Sequence, residues 1–130
     1  MLTYKKYLEE KDCLTFQEAE EIHSQMLQSA NNRDSDFQEF WRDMIESAII
    51  YANTRAKWNV QTLEERRNID NIRTHQHNTF MINLKVIATY MNQQNWSSEW
   101  FDKLGTIDSD RKRFGDFACY LVYIHSLNAR

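Results

Sequence analysis

Glu20 and His23 stand three residues apart, the spacing that puts a carboxylate and an imidazole on one face of a helix. Helical bundles build di-iron centres from two such Glu-x-x-His pairs with two further glutamates, and this chain holds no second pair. His75 and His77 are two apart, which on a helix turns them about 200° from one another, so they do not face one ion. Cys13 and Cys119 are the two cysteines. Cys119 lies inside an apolar run and reads as a small buried hydrophobe, not a nucleophile. The chain has no Gly-rich phosphate loop, nucleophile elbow, Cys-x-x-Cys or His-Glu-x-x-His. The expectation is therefore no metal, no cofactor and no assigned catalytic residue.

One set of polar residues resists a bland account. Three- and four-residue steps back from the apolar row Met91, Ile87, Leu84 and Phe80 lead to His77, Arg73, Asp70 and Arg66. On a continuous helix, one face is then apolar in its second half and ionic in its first. Asp116 falls between Phe114 and Phe117 and shares a face with Arg113, Tyr120 and Tyr123. A carboxylate there is expected to be partly buried, and a buried carboxylate needs a partner. Desolvation raises a carboxyl pKa and an adjacent guanidinium lowers it. Arg73 is the first candidate and Arg66 the next. Arg66, Asp70, Arg73, His77, Asp116 and Tyr120 thus form a predicted polar cluster. It is either a network that fixes how two helices meet or a pocket suited to an anion or an acidic side chain.

The elements that must carry these residues read as helices. Thr15 with Glu18 and Thr62 with Glu65 match the capping box. Asp36 with Glu39 marks a third start, with Ser35 as a rival cap. Phe16, Ala19, Ile22 or His23, Met26, Leu27 and Ala30 make one apolar face. Phe37, Phe40, Trp41, Met44, Ile45, Ala48, Ile49 and Ala52 make a wider one, on a helix running to about Trp58. Residues 62–94 carry the longest periodic stretch, polar and irregular around 71–78, where a kink or break is allowed. Ser98 caps a short helix ended by Gly105, and residues 108–110 open the last. The run from Phe117 to Ile124 is apolar nearly all round, and no second strand candidate exists to pair with it, so it reads as a buried helix. Tyr4, Tyr7 and Leu8 suggest a further short helix over 2–11. The predicted fold is all-α: one domain over 1–130, a compact bundle of four main helices plus one or two short ones.

Composition agrees. The 130 residues include no Pro and only two Gly, which starves a β-fold of its turns. Hydrophobic residues are 42% and charged residues 27%, globular and not disordered. Net charge is −3, unevenly spread: residues 1–65 hold seven Lys/Arg against thirteen Asp/Glu, and residues 66–130 hold nine against six. The basic step Arg111-Lys112-Arg113 sits among Asp108, Asp110 and Asp116, which argues against nucleic acid. No stretch suits a bilayer span or a signal peptide, and the second apolar face carries acid opposite it, which disfavours anionic lipid. The compartment expected by elimination is the cytoplasm.

The stretches LEERRNIDNIRTHQHN (63–78) and DRKRFGDFACYLVYIHSLNAR (110–130) resemble a small, uncharacterised all-helical protein family of Gram-positive bacteria. The resemblance implies a helical fold and no mechanism. The first functional expectation is a protein-binding or self-associating helical bundle, with four Trp and six Tyr available for a two-fold interface. The second is a module for an anionic ligand or nucleic acid that uses the Arg-rich second half. The third is an enzyme of unrecognised class.

Overall fold

The computed structural model describes residues 13–106 and 109–128. Helix accounts for 83% of them, and no strand occurs among them. Four long helices and one short one follow in order: α1 (Phe16–Ser29), α2 (Ser35–Val60), α3 (Leu63–Gln93), α4 (Glu99–Leu104) and α5 (Arg111–Asn128). The short helix expected over residues 2–11 lies outside the described residues.

Each start has a local cause. Thr15 accepts a hydrogen bond from the Glu18 N–H while Glu18 accepts one from the Thr15 N–H, closing a capping box. Thr62 and Glu65 repeat it at α3. At α2 the expected cap is displaced: Asp34, not Ser35 or Asp36, accepts from the Phe37 N–H at 2.9 Å. The same carboxylate oxygen also accepts from the Tyr90 hydroxyl at 2.8 Å, so a tertiary contact selects among three adjacent polar residues. Ser98 makes no side-chain cap, whereas Gly105 ends α4 with a φ of 105°, a region that favours glycine.

α2 and α3 form a long antiparallel hairpin turned by Gln61 and Thr62. Its strands of contact run from Asp34–Tyr90 at one end through Ser47–Asn83 to Trp58–Arg66 at the other. α3 is one helix of 31 residues, about 46 Å long, with no break at 71–78. α5 packs chiefly on α2, and α1 lies across α4 and α5. The core gathers Met44, Ala48 and Ala52 from α2, and Phe80, Leu84, Ile87 and Met91 from α3. Trp100 from α4 and Phe114, Phe117 and Ala118 from α5 complete it. None of the described Trp or Tyr side chains is fully exposed. Trp100, Tyr51 and Tyr120 are buried, and Trp41, Trp58, Trp96, Tyr90 and Tyr123 are partly buried.

Candidate functional site

A buried polar layer crosses the bundle where α5 meets the hairpin. Asp116 is fully buried, beyond the partial burial that its place between Phe114 and Phe117 suggested. Its partner is not an arginine of α3. Arg55 of α2 donates from Nη2 to Asp116 Oδ1 at 2.5 Å, and its Nη1 lies 3.8 Å from Cys119 Sγ. The pairing follows from how the helices pack. Arg55 continues the α2 stripe of Ala48, Tyr51 and Ala52 by steps of three, four and seven residues, and α5 packs on that stripe. A charge set on an apolar stripe is the same signal that singles out Asp116, and it was legible in the sequence.

Tyr51 joins the layer to α3. Its ring meets His77 edge-on, 5.0 Å between centroids. His77 Nε2 donates to the Arg111 carbonyl at 2.7 Å, and Arg111 approaches the other ring nitrogen while donating to Asn78 Oδ1 at 2.6 Å. Burial, with the positive charges of Arg111, Arg55 and Arg73 adding to it, pushes the His77 pKa down to about 4. The imidazole is thus a neutral donor in the fold, unsuited to act as a proton carrier near neutral pH.

Gly115 allows α5 to come this close. A Cβ there would lie 2.8 Å from the Tyr51 hydroxyl and 2.9 Å from Arg55 Nη1. Both are ends of side chains already held in the layer. In an exposed helix Gly→Ala raises stability by about 1 kcal/mol. Gly115→Ala is expected to lower it instead, by about 1–3 kcal/mol through overpacking, as read from urea unfolding of the purified protein.

The remaining members of the predicted cluster lie elsewhere. Arg66 and Arg73 sit against the ring of Trp58, with guanidinium carbons 5.5 and 4.3 Å from its centroid. Arg66 also donates from Nε to the Trp58 carbonyl at 2.8 Å, and Arg73 pairs with the half-exposed Asp70 at 3.5 Å. Arg66 and Asp70 line a shallow hollow of about 370 Å³ with Trp58, Leu63, Arg67 and Asn71. Tyr120 lies apart, buried among Phe16, His23 and Phe117. Burial pushes its phenol up to about 12. So Arg66, Arg73, His77 and Tyr120 do not line one pocket. The guanidiniums at Trp58 are engaged by a ring, a carbonyl and a carboxylate, and Arg73 Nε is buried with no hydrogen-bond partner among the described residues.

A different feature has no internal explanation. Ile72, Ile82 and Val86 are exposed at 53%, 60% and 39%. On α3 Val86 and Ile82 lie about 130° and about 170° around the axis from the core row Phe80, Leu84, Ile87 and Met91, and Ile72 about 90°. Ile50 on α2 is exposed too, and it shares a side with Asp43 and Ser47, whose oxygens accept from Asn83 across the seam at 3.2 and 2.9 Å. Between the two helices runs a groove of about 340 Å³, floored by Phe40, Ile82, Val86, Thr89 and Tyr90, with Lys85 on its far bank. Tyr90 is fixed there by Asp34 and by edge contacts to Phe40 and Trp96 at 5.2 and 5.8 Å. The Asp34 carboxylate accepting its proton pushes the Tyr90 pKa up to about 12. Sequence periodicity marks these residues as apolar, but which side of so long a helix stays uncovered depends on where its neighbours lie.

Among the described residues no three His, Cys, Asp or Glu side chains come together to hold a metal, and no helix is long and apolar enough to cross a membrane. His75 is exposed while His77 is buried, as their spacing on one helix requires. No family model matches the chain, and no curated protein or solved structure matches it either.

Proposed function

We propose that this chain is a non-catalytic protein-binding domain whose docking face is the outer side of the α2–α3 hairpin. The observation that carries the reading is the second apolar row on α3, Ile72, Ile82 and Val86, set well away from the core row of the same helix. Isolated exposed apolar residues are ordinary on a protein surface. Ile82 and Val86, one four-residue step apart on α3 and lining the groove with Phe40 and Tyr90, make an apolar patch of the kind that partners cover, with Ile72 and Ile50 exposed farther along the seam. The groove-and-row shape suits an amphipathic helix, which reads such a surface through anchors spaced at i, i+3 or i+4 and i+7. The compartment that suits the domain is the cytoplasm, where its two free thiols stay reduced.

The test is a titration of methyl-labelled protein with amphipathic helical peptides of one apolar face and basic, neutral or acidic flanks. Methyl signals of Ile50, Ile72, Ile82 and Val86 are expected to move while those of Leu84 and Ile87 hold still. Ile82→Asp is expected to abolish these shifts yet change folding stability by less than about 0.5 kcal/mol, because the side chain already faces water. Unmoved surface methyls with every peptide, or an Ile82→Asp variant that loses several kcal/mol, would show that the row serves the fold and not a partner.

A further inference from the structure

We infer that the occupant of the α2–α3 groove is an amphipathic helix of a separate protein, with lysine or arginine along the flank that faces α2. This rests on the docking-face reading above and adds the chemistry of the partner.

The bank of the groove formed by α2 is acidic. Asp36, Glu39, Asp43 and Glu46 follow one another at steps of three, four and three, which stacks them on one side of the helix. All four are exposed, and none forms an ion pair among the described residues. Their position beside the groove follows from contacts already described. Asp36 and Asp43 lie four residues before and three after Phe40, which floors the groove. The Asp43 carbonyl accepts from Asn83, the neighbour of Ile82 in the chain. Asp34, engaged by Tyr90, extends the acidic bank at the end of the seam. The opposite bank offers one lysine, Lys85. A helix lying along the seam therefore meets an apolar floor, a row of carboxylates on one flank and a near-neutral flank on the other.

That asymmetry selects among occupants. A row of like charges beside an apolar strip repels an acidic segment and attracts a basic one, and the desolvated floor strengthens the effect relative to open water. A second copy of this chain is a poorer match. In a two-fold contact the same patch meets itself, so every carboxylate and every lysine is doubled and the excess of acid doubles with them. The apolar row also sets a length. From Ile72 to Tyr90 is about 27 Å along α3, which an 18-residue helix covers.

The experiment uses the full chain and three synthetic 18-residue helical peptides with an identical leucine face. One carries Lys and Arg on its flanks, one Gln and Ser, one Glu, and binding is read by fluorescence anisotropy. The basic peptide is expected to bind about tenfold or more tighter than the neutral one, the acidic one not measurably, and the preference should shrink as salt is raised. Asp43→Lys combined with Glu46→Lys should turn the preference towards the acidic peptide. Ile82→Asp should abolish binding of all three. Circular dichroism of both variants verifies that they are folded. Equal affinity for basic and neutral peptides would overturn the basic partner while leaving the docking face standing. Absence of binding with a concentration-dependent dimer lost in Ile82→Asp would give the groove to a second copy and overturn the proposal. No binding and a single 15.7 kDa species at every concentration would overturn both this inference and the docking face.

Discussion

Asp116→Ala is expected to cost about 3–5 kcal/mol of folding stability, because it removes the carboxylate that compensates the nearly buried Arg55 guanidinium. Asp116 is fully buried and Arg55 only 9% exposed, so the pair cannot be treated as a surface ion pair worth a few tenths. The loss reports the removal of one partner and not the net worth of the bridge. Desolvating both ions is costly, and a well-packed apolar pair of similar volume can match or exceed an ion pair in such a place. The decisive measurement is a double-mutant cycle. Arg55→Ala with Asp116→Ala should recover much of the combined single-site loss, with a coupling well above about 0.5 kcal/mol. Arg73→Ala with Asp116→Ala should be additive within that margin, since Arg73 lies over Trp58 and against Asp70. Additivity in the Arg55 cycle would mean that the 2.5 Å contact does not order the helices. Coupling in the Arg73 cycle would mean that α3 reaches the carboxylate after all.

Acid should weaken the fold before its carboxylates titrate, and His77 is the reason. The imidazole ordinarily titrates at 6.5 and in the fold is pushed down to about 4, first by burial and then by the nearby guanidiniums. Above pH 6.5 the histidine is neutral both folded and unfolded and contributes no pH dependence. Between 6.5 and 4 the unfolded chain takes up a proton that the native chain refuses, so stability falls as the pH falls. Over that window the loss reaches at most about 3 kcal/mol. His23, half-buried against Trp41 and Tyr120, is shifted down by burial and acts in the same direction. Glu18 and Asp34 are shifted below their ordinary values, so their contributions are present above those values and disappear only at lower pH. Urea unfolding at pH 7, 5.5 and 4.5 should show the decline in the wild-type chain. His77→Gln keeps an N–H for the Arg111 carbonyl and removes the titration, so its profile should be flatter. A decline of equal slope in both proteins would mean that His77 takes up its proton in the native state at an ordinary pH.

What the sequence determined by itself is what short-range chemistry controls. Thr15 with Glu18 and Thr62 with Glu65 start their helices because each pair satisfies its own backbone donors within one turn. The row Phe80, Leu84, Ile87 and Met91 declares the core face of α3 through its period alone. The absence of Pro and the scarcity of Gly exclude a fold of many tight turns. At least partial burial of Asp116 also follows locally, from the apolar residues on either side of it.

The tertiary structure decided which groups meet. Arg55 and Asp116 are 61 positions apart, and although Arg55 lies on the apolar stripe of α2, no local pattern says which helix α5 packs against. The choice depends on α5 packing against α2. The polar stretch 71–78 permitted a kink, yet α3 stays continuous because α2 offers Trp58 and Tyr51 as aromatic surfaces for Arg73 and His77. Asp34 rather than Asp36 caps α2 because Tyr90 arrives from 56 residues away. The same cause hid the exposed apolar residues of α3. Ile72, Ile82 and Val86 have the residue types of a core, and a helix pattern records that a side is apolar without recording whether anything lies over it. Among the described residues the short α4 and the α1–α5 layer close one side of the hairpin, and Ile50, Ile72, Ile82 and Val86 are exposed.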